Sequence, residues 1–131
     1  MMDDILVPVS PGELIDKLTI LRLKAENISD AAKLANIARE REALEAIDLP
    51  DHPDLPALTD ELYGINARLW QIEDDIRDCD AVGDFGEGFI ALAQAVYRTN
   101  DRRAEVKRRI NLALGSALIE EKSYAAHGGP A

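Results

Sequence analysis

The sequence predicts an all-α fold, a four-helix bundle with a short extended N-terminal arm and a C-terminal tail. Three observations carry this expectation. Apolar residues recur at helical spacing in four separate stretches. Leu, Ile and Ala dominate the apolar content, while Val and Thr are sparse after the first ten positions. Pro- and Gly-rich breaks separate the later stretches, with three prolines between Asp48 and Pro56 and the turn Gly83-Asp84-Phe85-Gly86. A chain of 131 residues suits a single domain around one core.

Residues 1–10 read as an arm. Ile5 to Val9 alternate around Pro8, which allows an edge strand or an extended segment and excludes a central strand. Ser10-Pro11-Gly12-Glu13 is a capping box, with serine at N-cap, proline at N1 and glutamate at N3. The first helix is therefore placed at 11–28, with Leu14, Leu18, Leu21, Ala25 and Ile28 as its main stripe. Ile15, Ile20 and Leu23 lie elsewhere on its circumference, so the helix is expected to be surrounded, and Ile20 and Leu23 offer an apolar side to a second subunit.

Ser29 or Asp30 caps a second helix at 31–47, with Leu34, Ile37, Leu44 and Ile47 inward. The short spacing makes the first two helices an antiparallel hairpin. A third helix at 57–80 carries the stripe Leu58, Leu62, Ile65, Leu69, Ile72, Ile76 and Cys79. A fourth, 87–114, would be roughly 40 Å long, more than a domain of this size needs, and its overhang favours a homodimer. Gly115 ends it. The tail, 116–131, is expected to be extended, within reach of pairing with Ile5 to Val9 as a strand, and to be disordered after about residue 124.

The fourth helix holds the feature with functional content. Asn100, Arg103, Lys107 and Asn111 fall in the middle of its apolar face, among Phe89, Leu92, Ala93, Val96, Tyr97, Ile110 and Leu114. Buried amides and cations are costly unless paired. Two arrangements satisfy them. One is a closed ion-pair network that fixes helix register, Glu73 with Arg103 and Asp101 with a Lys or Arg. The other is a pocket for a carboxylate or phosphate, held by Arg103 and Lys107 with Lys17 or Lys24, and oriented by Asn100 and Tyr97. In that pocket Glu73 is the candidate acid or base.

Other candidates have simpler readings. The DDxxD run at Asp74, Asp75 and Asp78 points away from the core stripe and reads as a solvated face rather than a magnesium site. The pair Glu42 and Glu45 matches the ExxE of helical nucleotide pyrophosphohydrolases, without a good second acidic motif. Ser10 is accounted for by capping, His52 lies in the proline loop, His127 in the tail, and Cys79 on the core stripe. No metal site and no cofactor are predicted.

A net charge of −10 disfavours nucleic acid and anionic membrane as partners. No apolar stretch approaches the roughly 20 residues of a membrane span, and the N-terminus lacks a basic n-region. A cytoplasmic protein is expected.

The phrases SPGELIDKLTILRLKAENI, LWQIEDDIRDCD and VYRTNDRRAEVKRRINLALGSALIEEKSY resemble a bacterial family of small helical proteins and C-terminal domains of unknown function. The resemblance spans residues 5 to 124 and implies an association with glycosyltransferase and tetratricopeptide genes, hence surface-glycan work. A second likeness, at Ile15, Asp16, Leu21, Arg22 and Lys24, is to the first helix of helical chorismate mutases, whose later motif is missing here. The leading functional expectation is an accessory or interaction module, homodimeric or bound to a protein partner. The alternative is a binder of, or metal-free enzyme acting on, a small anionic metabolite.

Overall fold

The computed structural model describes residues 1–123, which contain four helices and no strand. They are α1 (Pro11–Asn27), α2 (Ala31–Glu45), α3 (Leu55–Ala81) and α4 (Glu87–Ala113). The protein is an all-α bundle, as the periodicity predicts.

Each helix end has a local cause. The Ser10 side chain accepts from the Glu13 amide at 3.2 Å, and Pro11 supplies the first-turn φ without leaving an orphan donor. The Asp30 carboxylate accepts from the Lys33 amide at 2.9 Å and starts α2. α2 stops at Glu45, short of the expected Ile47, which is exposed in the following turn. α3 starts at Leu55, ahead of the expected Ala57, because Pro56 is tolerated in a first turn. α4 closes in a Schellman turn: the Ser116 amide donates to the Asn111 carbonyl and the Gly115 amide to that of Leu112. Gly115, at φ 67°, supplies the left-handed residue that this turn requires.

α3 and α4 form an antiparallel hairpin, and α1 packs against both while also carrying α2, which touches α1 alone. Gly12 meets Asn111 and Asp16 meets Arg103, so α1 begins antiparallel to α4. Its later turns lean across α3, where Thr19 reaches Asn66 and the Arg22 guanidinium stacks 3.9 Å over Tyr63. Where the three helices meet, Ile15, Leu58, Leu62, Ile65, Val106 and Ile110 form the core, flanked by Leu49, Leu55 and Leu114. Leu62 and Ile110 are sealed from solvent, and burying such side chains contributes about 1.5–3 kcal/mol each.

Beyond this junction the hairpin continues without α1. α3 has no buried residue after Ile72, and α4 has none before Thr99. Residues 87–98 of α4 therefore extend past the core by roughly 18 Å.

Several expectations need correction. Leu23 is buried, so α1 does not present it to a second subunit, and Ile20 is only half-exposed. α2 buries Ile37 alone of its four expected inward residues. Arm residues 1–9 are exposed and form no strand, because no neighbouring strand satisfies their backbone. The segment 116–123 folds back against α4 through side-chain pairs instead. The expectation of disorder after about residue 124 lies outside the described residues.

Candidate functional site: a polar layer between α1 and α4

Asp16 lies one turn after Gly12 on the face of α1 that meets α4, and only 1% of it is exposed. Its carboxylate accepts from Arg103 Nε at 2.8 Å and from Arg103 Nη2, a bidentate pair. Asn66 Nδ2 donates to the same carboxylate at 2.9 Å and to Thr19 Oγ1 at 2.9 Å. The Thr19 hydroxyl in turn donates to the Asp16 carbonyl at 2.7 Å. One acid thus joins α1, α3 and α4.

A second pair sits one turn further along α4. Lys107 Nζ donates to Glu13 at 2.6 Å and to Glu120 at 3.4 Å. Beyond it, the Gly12 amide donates to Asn111 Oδ1 at 2.7 Å. Among the described residues no buried side-chain nitrogen or oxygen lacks a partner. The buried polar groups of the layer are therefore paired, which removes the penalty that a lone buried donor, acceptor or charge would carry.

The charges follow the geometry. The hydrogen bond to Asp16, helped by the fields of Asp16, Glu13 and Glu120, raises the Arg103 pKa against the opposing effect of burial. The Glu120 carboxyl is held below its ordinary value by its hydrogen bond to Lys122 and by Lys107, partly offset by desolvation. At the far side, the hydrogen bond from Tyr63 to Glu26 raises the phenol.

Four of the six expected ligand-binding residues come together. Tyr97, Asn100, Arg103 and Lys107 line an open cleft of about 440 Å³ along α4, with Val96, Asp101, Ala104 and Lys122. Lys17 and Lys24 do not line it; Lys17 is exposed and Lys24 half-buried on α1. Glu73 is exposed and pairs with Arg77 at 3.9 Å within α3, so it is not the acid that meets Arg103. Asp16 is. Periodicity alone does not single out Asp16 as the partner of Arg103. The available signal was its placement with Gly12 and Thr19 on one stripe of small and polar residues.

Elsewhere, a surface hollow of about 580 Å³ lies between the proline loop and the start of α3, lined by Asp51, His52, Leu55 and Thr59 among others. His52 Nδ1 there accepts from the Asp54 amide at 3.0 Å and serves the turn. In the DDxxD run, Asp74 pairs with Arg77 and Asp75 accepts from Gln71. Among the described residues no three His, Cys, Asp or Glu side chains converge as metal ligands. None of the described helices is long and apolar enough to cross a membrane.

Fold and site together define an all-helical bundle whose first and last helices are joined by a polar layer in which, among the described residues, every buried side-chain nitrogen and oxygen is paired. The chain belongs to a family of unknown function (DUF6165), whose model covers residues 5–129. Neither a curated protein nor a solved structure matches it.

Proposed function

We propose that this protein is a non-catalytic association module that pairs with a second copy of itself through the far half of the α3–α4 hairpin. The observation that carries the reading is the apolar overhang. Phe89, Val96 and Arg103 recur at seven-residue intervals on one stripe of α4. Arg103 meets α1, whereas Phe89 and Val96 continue that stripe beyond the point where α1 leans away. Phe85, Ile90 and Tyr97 are each more than half exposed beside it, and Phe85 stacks edge-on against Phe89 at 5.2 Å.

A hairpin two helices wide cannot cover its own inner face. Two such hairpins related by a two-fold axis cover each other, because the same patch serves both sides. The result is a four-helix arrangement at the join, whereas lower down α1 covers the hairpin as a third helix. The Asp16–Arg103 and Glu13–Lys107 pairs support a scaffold role, since they hold α1 to the hairpin.

Sedimentation velocity across the micromolar range tests this. The native chain is expected as a dimer. Ala93→Arg, a change at an exposed position of the overhang, is expected to give a folded monomer. A native monomer throughout, with no shift on dilution, would refute the reading.

A further inference from the structure

The cleft beside the polar layer carries a second inference, although Val96 and Tyr97 are shared with the self-association surface. We propose that it is a binding site for a small carboxylate, and that Glu120 is an internal carboxylate competing for it.

The Schellman turn at Gly115 sends the chain back along α4. Residues 116–123 are not helical, and acidic side chains return them to the helix. Glu120 reaches Lys107 at 3.4 Å and Lys122 at 2.9 Å, and Glu121 reaches Arg108 at 3.1 and 3.2 Å. A carboxylate therefore already rests on the Lys107 ammonium at the edge of the cleft. The segment that brings it is weakly held. Glu120 is half exposed, Leu118 is exposed, and pairs of this kind add little because both partners remain hydrated.

Arg103 completes the site. A guanidinium has five N–H donors in a fixed plane. Asp16 takes the Nε and one Nη2 donor, fixing that plane, and the Arg103 side chain, 29% exposed as a whole, lines the cleft. An arginine held by a buried acid is pre-organised for a planar anion and loses little rotamer freedom on binding. Asn100 adds an amide, and Val96 and Ala104 give an apolar wall. These features fit a small planar carboxylate of the size of a Glu120 side chain with a short extension. The acidic chain as a whole repels anions, so binding is modest and local.

The test is a malonate titration of the full chain, followed by nitrogen–proton NMR at ionic strength held constant with sodium chloride. Val96 and Tyr97 belong both to the cleft and to the proposed self-association surface, so the titration is repeated on the folded monomer expected of Ala93→Arg. Malonate is expected to shift the Arg103 Nε–H and Asn100 side-chain signals and to move the 118–122 amides toward free-peptide positions. Glu120→Gln is expected to tighten malonate binding roughly two- to fivefold. Lys107→Gln, which keeps the Asp16–Arg103 pair, is expected to weaken it. The proposal is overturned if malonate moves none of these signals beyond the chloride control, if Glu120→Gln leaves the affinity unchanged, or if Lys107→Gln binds as well as native protein.

Discussion

The backbone amide of Gly12 donates to the Asn111 side-chain oxygen at 2.7 Å, a buried bond that ties the first turn of α1 to the last turn of α4. The approach is close enough to exclude any side chain at position 12. A Cβ there would collide with the Lys107 carbonyl oxygen and lie 2.9 Å from Asn111 Oδ1. In an ordinary helix Gly→Ala stabilises, by about 1 kcal/mol on the propensity scale. Here Gly12→Ala is expected to destabilise by about 1–3 kcal/mol through overpacking against backbone. Urea unfolding measures it, and a rise in midpoint would contradict the account.

The Asp16–Arg103 pair is asymmetric, and the asymmetry predicts an order of effects. Removing the arginine with Arg103→Met leaves a carboxylate sealed from solvent with only Asn66 to pair it. That loss falls in the range of about 3–5 kcal/mol for an unpaired buried charge. Asp16→Asn keeps the shape and leaves a guanidinium that can reach water, so it is expected to cost less. The double variant should recover part of the summed loss, a coupling of about 0.5–3 kcal/mol. Denaturant midpoints of the two single variants and the double variant decide it, and equal single losses that simply add would contradict the pairing.

Glu120 gives the fold a pH-dependent attachment. Its folded pKa lies below the ordinary carboxyl value of 4.5, through Lys122 first and Lys107 second. The stabilisation from that depressed pKa is present above the unfolded value and is lost as pH falls through the folded one. The 116–123 segment is therefore expected to detach from α4 below about pH 4.5, ahead of helix loss. Amide shifts of residues 118–122 against pH check this, and Glu120→Gln should abolish the transition. A segment that stays attached until the helices melt would count against it.

Self-association should strengthen with salt. The overhang carries Glu73, Asp74, Asp75, Asp78, Asp80, Asp84 and Glu87 against Arg77 and Arg98, so two overhangs brought together repel. Screening reduces that repulsion while leaving the apolar attraction intact. Sedimentation equilibrium at rising sodium chloride is expected to give a falling dissociation constant. A rising one would indicate an interface held by ion pairs instead.

Much of this architecture was legible because local signals agreed. Ser10-Pro11-Gly12-Glu13 fixed the start of α1, Gly115 the end of α4, and the Leu58-to-Ile72 stripe the buried face of α3. The inward turn of Arg103, Lys107 and Asn111 followed from their place on an apolar stripe, and all three are at least partly buried. Their partners were less readable. Periodicity reports which face a residue occupies and is silent on which helix crosses there. Lys17 and Lys24 share a flank with Glu13 in sequence, yet α1 crosses the hairpin with the Gly12–Asp16–Thr19 stripe inward and leaves Lys17 in solvent. Asp16 and Asn66 acquire meaning only once that crossing is known.

The account turns on whether the outer half of the hairpin is covered in solution. Hydrogen–deuterium exchange of the native chain at low and high protein concentration reads this segment by segment. Amides in residues 87–98 are expected to exchange more slowly as concentration rises, while those around Val106 and Ile110 stay constant. Exchange in 87–98 that is independent of concentration would leave the overhang bare and contradict the proposed pairing.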